Sequence, residues 1–314
     1  MGRTQPPRAG VSRSDDRLTA GDDVNTLPRQ GDRQSDAGSA PASDGDVPRA
    51  VRAFDAVAPQ FDERYGQWAS VRAQRRAVQR EFASAFQPGS ALLELGGGTG
   101  DDALFLAGRG HRILLTDGSP AMLASALRKI TAAGFEDRIK LLALPLERVS
   151  ELRHRFPESL PPPYDGAYSN FAALNCLQDL RPFAASLAPF LRPGAPVLLV
   201  MFGPCSVGEI IVQLLHANGR AAFRRFSNGA VAASIAGHAF TVRYPSPRIV
   251  ARELAPHFRL IRTSGIGVFV PPSAAEPAIS RYPRLLRLLE RLDAALSGPL
   301  AWMADHVLLH FRRV

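Results

Sequence analysis

The chain has 314 residues, 46% of them hydrophobic, and a formal net charge of +9. That length allows one large domain or two small ones around a real core, no apolar run is long enough to span a bilayer, and the N-terminus has no apolar leader segment, so a cytoplasmic protein is expected. The positive charge is nearly all arginine, because Lys129 and Lys140 are the only lysines, and its scatter along the chain argues against a nucleic-acid-binding patch.

Residues 1–48 are rich in Arg, Asp, Gly, Ser, Pro and Gln and almost lack large apolar side chains. Such a segment cannot offset its ordering entropy by burial, so a disordered tail is predicted. Its acids and bases nearly balance, unlike a basic nucleic-acid arm. Folded sequence begins near Val51, and a single domain is expected over 49–314. A first helix carries Phe54, Val57, Phe61 and Tyr65 on one face, and a second runs from about Ser70 to Phe86. Strand and helix then alternate. Strand Ala91–Leu95 is followed by a glycine turn and a helix near Asp102–Ala107, and strand Arg112–Thr116 by a helix opened by Ser119-Pro120 and closed at Gly134. Next come strand Ile139–Ala143, a helix near Leu146–Phe156, strand Gly166–Asn170, a helix opened by Pro182 and strand Pro196–Phe202. This alternation predicts an α/β fold, a doubly wound sheet of seven mostly parallel strands with helices on both faces. Residues 203–245 break the rhythm with a helical piece (207–217), Phe223, Phe226 and a possible hairpin around Gly237. An insertion over the carboxyl edge of the sheet is predicted there. Ser246-Pro247 opens another helix, followed by strand Phe258–Thr263, the apolar run Ile266–Val270, a helix after Pro283 and a last strand, His306–Phe311.

The turn after the first strand reads Glu94-Leu95-Gly96-Gly97-Gly98-Thr99-Gly100. Glycines permit positive φ and let a ligand approach the backbone. A dinucleotide fingerprint needs G-x-G-x-x-G, but its third glycine would fall on Asp101, an acid facing a pyrophosphate. A phosphate loop needs Gly-Lys-Ser/Thr, and no lysine is present in the turn. Asp117, at the tip of the second strand, is placed to accept both hydroxyls of a ribose. Cys176 and Cys205, the only cysteines, make no CxxC pair, so neither a disulfide framework nor a metal site is expected.

The glycine turn followed by Leu115-Thr116-Asp117 resembles the cofactor-binding half of class I S-adenosylmethionine-dependent methyltransferases. Phe54-Asp55 and Phe61-Asp62 resemble the segment that often precedes it in members acting on small molecules, and the final strands resemble the family's sheet end, where the last strand inserts antiparallel. The likeness covers 51–314, with 203–245 as a variable lid. It implies S-adenosylmethionine as cofactor. Gly96, Gly98 and Gly100 would then line its methionine and ribose, with Glu94 near its amino group, Asp117 on the ribose hydroxyls and Met122 under the adenine. No acid follows the third strand until Glu147, so adenine recognition is expected from backbone near Leu144. Ser169, Asn170 and Phe171 would border the sulfonium, and Tyr65 would close over the cofactor.

Methyl transfer needs in-line placement of a nucleophile and, for a phenol, enol or amine, a base. Asp179, His238 and His216 are candidates for the base, and Asn175 for orienting the acceptor. The aromatic residues Phe223, Phe226, Phe240 and Tyr244 suggest an apolar pocket under the lid for a small, partly apolar metabolite. The run Asn170-Phe171-Ala172-Ala173 lacks the D/N-P-P-Y/F motif of amino-methylating enzymes. Cys205 stands where RNA cytosine-C5 enzymes resemble one another in having an attacking cysteine, which keeps an RNA reading open, as does a non-catalytic cofactor-binding protein. Oligomeric state is not legible.

Overall fold

A computed structural model describes residues 47–227 and 229–314. The tail expected over 1–48 lies outside the described residues up to position 46. Two helices, α1 (Arg49–Tyr65) and α2 (Ala69–Ala85), precede the alternating region. That region runs β1 (Ala91–Leu95), α3 (Asp101–Ala107), β2 (Arg112–Asp117), α4 (Pro120–Ala133), β3 (Ile139–Ala143), a 3₁₀ turn (Leu146–Glu151) with α5 (Leu152–Arg155), β4 (Gly166–Ser169), α6 (Arg181–Leu187) and β5 (Pro196–Phe202). The segment after β5 forms α7 (Val207–Leu215), α8 (Gly219–Ala222) and the hairpin β6 (Ala230–Ile235) and β7 (His238–Arg243). Helix α9 (Pro247–Leu254), β8 (Phe258–Ile266), α10 (Pro283–Leu296) and β9 (His306–Arg313) complete the chain.

The main sheet has seven strands in the order β3-β2-β1-β4-β5-β9-β8. β9 lies antiparallel between β5 and β8, and the strands from β3 to β5 pair in parallel. Burial on both faces explains the near-continuous apolar runs of these strands. Residues alternate between the two faces: Leu93, Leu95, Leu114 and Leu199 enter one core cluster, while Leu92, Leu115, Leu198 and Val200 enter the other. Helix starts follow the predicted chemistry. Ser119 Oγ accepts from the Met122 N–H ahead of Pro120, and Gly134 ends α4 at φ +69°. Ser246 caps α9 the same way through the Ile249 N–H.

Two predicted elements differ. The helix expected over 146–156 is a 3₁₀ turn followed by a single α-turn, with Arg148 off the helical region at φ −110°. Its apolar residues Leu146, Val149 and Leu152 recur every third position, which is the 3₁₀ period rather than the α period. Strand β8 continues through Thr263 to Ile266, with a register irregularity between Leu260 and Arg262 that keeps it paired with β9. The hairpin is where the sequence placed it, and its two turn residues, Ala236 and Gly237, both have positive φ (48° and 79°).

The segment 203–245 does not form an aromatic-lined lid. Phe223 and Phe226 are 52% and 56% exposed and face away from the core. Phe240 and Tyr244 are buried, but in a packing cluster: Phe240 meets Phe54 of α1 at 5.9 Å and Tyr244 meets Phe202 at 6.0 Å. The hairpin braces α1, and α1 does the covering. Arg225 ties the segment to the sheet. Its buried guanidinium bonds Glu209 Oε2 (2.6 Å), the Asp305 carbonyl (2.7 Å) and Asp305 Oδ1 (2.6 Å), and lies over the Phe202 ring at 4.9 Å.

Candidate cofactor and acceptor site

A cavity of about 240 Å³ opens at the carboxyl ends of the parallel strands, where strand order reverses between β1 and β4. Its floor is the glycine turn. Gly96 (φ +67°) and Gly98 (φ +55°) adopt the left-handed conformation. A Cβ on Gly96 would meet Ala173 Cβ at 2.7 Å, and one on Gly97 would meet Glu94 Cδ at 2.8 Å, so the turn packs too tightly for side chains at those two positions. The Gly98 N–H donates to Asp117 Oδ2 (2.8 Å) and the Ser119 N–H to Asp117 Oδ1 (2.8 Å). Asp117 therefore locks the turn to the tip of β2. A carboxylate offers about four acceptor positions, so two remain toward the cavity.

Helix α1 forms the roof, pinned at two points by the acids noted in the sequence. Asp55 Oδ1 accepts from Ser119 Oγ (2.6 Å) and the Ala121 N–H (3.0 Å). Asp62 accepts from Thr99 Oγ (2.6 Å) and Lys129 Nζ (2.9 Å). Each bond spans from α1 to a segment that borders the cavity, so α1 is fastened on both sides of the glycine turn.

Of the residues singled out for the cofactor, Tyr65, Glu94, Gly96, Gly98, Asp117, Met122 and Asn170 line this cavity. Three do not. Gly100, at φ +82°, lets the chain enter α3, and a Cβ there would face Ala126 Cβ at 3.2 Å rather than the cavity. Leu144 is 1% exposed, packed into a core cluster of the main sheet. Ser169 is fully buried, its Oγ donating to the Leu95 carbonyl (2.7 Å) across the β1–β4 pair. Pro145, Leu146 and Glu147 form the wall beyond β3 instead, so an acid does reach the cavity there. Gly100→Ala is expected to cost about 1–2 kcal/mol of stability from left-handed strain. It should leave cofactor affinity near wild type; a thermal melt beside a calorimetric titration separates the two effects.

The proposed bases lie elsewhere. Asp179 is partly exposed and paired with Arg181 Nη2 (2.9 Å). His238 begins β7 at the outer end of the hairpin, and His216, at the end of α7, is exposed as well. Asn175 is fully buried as a strut, its Oδ1 accepting from the Phe202 N–H (3.0 Å) and its Nδ2 donating to the Arg243 carbonyl (2.6 Å). Cys205 lies outside the cavity wall and burial pushes its thiol up, which suits no attacking thiolate. Cys176 does reach the wall, but burial pushes its thiol to about 12.

The cavity instead holds residues the sequence did not single out. From α2 come Gln74 and Arg75, and from the start of β9 and the residue before it His306 and Asp305; Phe171, expected beside the sulfonium, lines the cavity as well. Because β9 runs antiparallel to β5, its first residue lands at the carboxyl edge, and His306 pairs in register with Phe202. The position was recoverable: a last strand inserted antiparallel beside β5 must begin where its parallel neighbours end. Asp102, at the start of α3, accepts from Arg75 Nη1 (2.9 Å), Gln79 Nε2 (2.9 Å) and Asn170 Nδ2 (2.7 Å).

Glu94 tests whether these residues suit an S-adenosylmethionine methionyl group. Its side chain is 2% exposed, it lines the cavity, and Oε2 has no hydrogen-bond partner. Burial first, and then the Asp102 carboxylate, pushes its carboxyl well above the ordinary 4.5. An ammonium group presented from the cavity satisfies that orphaned oxygen, so the donor set fits. A raised folded-state value means that stability is full below about pH 4.5 and is lost as pH rises through the raised value. Glu94→Gln removes that loss, so it should stabilise the cofactor-free protein at neutral pH by about 1–3 kcal/mol while weakening cofactor binding. Urea unfolding at several pH values measures it; a glutamine variant no more stable than wild type would mean that Glu94 already has a cationic partner.

Among the described residues no group of three His, Cys, Asp or Glu is placed to hold a metal ion, and no helix is long and apolar enough to cross a membrane. The chain resembles solved structures over most of its length. The [4+2]-cyclase SpnF matches with a TM-score of 0.55 at 15% identity, covering 84% of this chain and 95% of that one. The CcbJ methyltransferase from Streptomyces caelestis gives 0.53 at 14% identity (83% and 98%), and the DhpI–SAH complex 0.51 at 16% identity (84% and 95%). At such identities these likenesses speak for the fold. No curated protein sequence matches. Residues 92–194, from β1 to the turn before β5, match the family model of the methyltransferase domain. Over those residues, with the glycine turn, the β2 carboxylate and the orphaned Glu94 at the switch point of a Rossmann-like sheet, the chain carries a methyltransferase domain of the class I S-adenosylmethionine-dependent type.

Proposed function

We propose that the protein, through a single domain over 49–314, moves a methyl group from S-adenosylmethionine to a small, partly apolar metabolite. The observation that carries the reading is the two-ended character of the cavity. One end is the glycine turn with Glu94 and Asp117. The other is apolar, walled by Phe61 and Tyr65 of α1, Val71 of α2, Phe171 and Phe202. A nucleic acid would need an open basic groove; this end lies beneath a helix.

In this reading Asp117 accepts the ribose hydroxyls at its two remaining positions, Glu94 pairs with the amino group, and the backbone of Gly96, Gly97 and Gly98 backs the methionyl chain. Met122, 2% exposed, lies against the base, and Asn170 and Tyr65 border the reacting centre. When bound, S-adenosylmethionine supplies a methyl group on a sulfonium, already a good leaving group, so the chain's task is placement and exclusion of water. α1, fastened through Asp55 and Asp62, provides both.

The test is methyl-labelled S-adenosylmethionine incubated with the protein and a cell extract, followed by mass identification of the labelled product. Label in a small molecule supports the proposal. Label in RNA would favour the cytosine-C5 alternative, and cofactor binding without any label transfer would favour a non-catalytic binding protein.

A further inference from the structure

Among the described residues His306 is the single histidine on the cavity wall, and cofactor placement gives it no work. Its ring stacks on Phe202 (centroids 4.5 Å apart, 26° between planes) and meets Phe171 edge-on at 5.4 Å. Nδ1 lies 3.4 Å from Asp305 Oδ2, an ion-pair distance without hydrogen-bond alignment. Asp305 is held in turn by Arg225 from the 203–245 segment and approached by Gln74 Nε2 at 3.4 Å from α2.

We propose that His306 takes the proton of the methyl acceptor, that Asp305 is the positioning residue behind it, and that the acceptor is a hydroxyl on a flat aromatic ring. The inference rests on the methyltransferase reading. A proton on Nδ1, toward Asp305, leaves Nε2 with its lone pair free, the tautomer a base requires. Burial pushes the Asp305 carboxyl up, but His306 and Arg225 outweigh it and hold Asp305 below the ordinary range. It therefore stays ionised at neutral pH and favours the imidazolium that forms. Two cations face this pair from other elements and temper it: Arg225, over Phe202, and Arg75, over Phe171 at 4.8 Å.

The class of acceptor follows from the walls. Asp101, Asp102 and Asp305 border the cavity against one guanidinium, that of Arg75, which is already paired with Asp101 and Asp102, so an acceptor carboxylate is disfavoured. It would also need no base. An aliphatic amine would be held by the same acids as its ammonium form, which has no lone pair to give. A neutral hydroxyl escapes both, and a planar ring suits the Phe171 and Phe202 surfaces. In balance, the acceptor's O–H bond breaks and its proton passes to Nε2. The oxygen's electron pair forms the new O–CH₃ bond, and the pair of the broken S–CH₃ bond stays on sulfur.

The experiment uses the full chain saturated with S-adenosylhomocysteine and 4-nitrophenol as the probe, whose phenolate absorbs visible light. Bound to the wild type, the probe should ionise about one pH unit lower than free, a roughly tenfold shift in its acid equilibrium. His306→Gln and His306→Phe, the second keeping the ring stack, should bind the probe and lose that shift, with S-adenosylhomocysteine affinity unchanged by calorimetry. Asp305→Asn should show part of the shift. An equal shift in both His306 variants, or no binding of the probe by the wild type, overturns the proposal while leaving the methyltransferase reading intact. Failure of the wild type to bind S-adenosylhomocysteine would instead sink that earlier reading.

Discussion

Asp117→Ala is expected to lower affinity for S-adenosylmethionine by at least about a hundredfold. Two hydroxyl bonds to a partly buried carboxylate are worth about 1.5–3 kcal/mol each, and every 1.4 kcal/mol is tenfold. The substitution also strips the Gly98 and Ser119 N–H groups of their acceptor, so the turn loses its lock as well as its ligand group. Burial pushes the Asp117 carboxyl up, with the Ser119 and Gly98 N–H groups opposing that shift. The carboxylate is therefore held at some cost without cofactor, which keeps the loss of fold stability smaller than the loss of affinity. Calorimetric titration measures the first and urea unfolding the second. Unchanged affinity in Asp117→Ala would show that the glycine turn is not where the cofactor sits.

That prediction rests on features readable from local sequence. Glu94 to Gly100 and Asp117 are joined by one strand–turn–helix–strand unit, so their spacing alone brings them together. The strands β1 and β5 were legible to the residue because parallel strands buried on both faces leave unbroken apolar runs. The caps of α4 and α9 were legible because Ser-Pro carries its own geometry. The acceptor end was not. Phe171, Phe202 and His306 are far apart in the chain and meet only because β9 inserts beside β5. The aromatic residues of 203–245 misled for a related reason: composition reports that they need burial, not against what. Phe240 found α1, and Phe223 found no core. Likewise Asp179 and Asn175 follow β4 in sequence, yet the turn there, with positive φ at Phe171 and Ala172, sends their side chains away from the cavity.

The same geometry that hid the acceptor end makes it depend on a buried charge. Arg225→Ala should destabilise the protein by about 3–5 kcal/mol, the range for removing one partner of a buried ion pair. Arg225 sits between Glu209 and Asp305, all three 5% or less exposed at the side chain, so its loss leaves two carboxylates facing each other in the core. The melting temperature should fall by roughly 10 °C. Arg224→Ala, which removes a partner of Glu209 alone, should cost less. The pH dependence gives an independent check. Asp305 is held below its ordinary 3.8, so in the wild type it contributes stability present above that pH and lost as pH falls toward its folded value. Arg225→Ala weakens that contribution, and the gap between variant and wild type should narrow in acid. Urea midpoints at neutral and acid pH decide it. A loss under about 1 kcal/mol at neutral pH would mean that water reaches the cluster, and Asp305 would then lack the fixed setting that its place behind His306 requires.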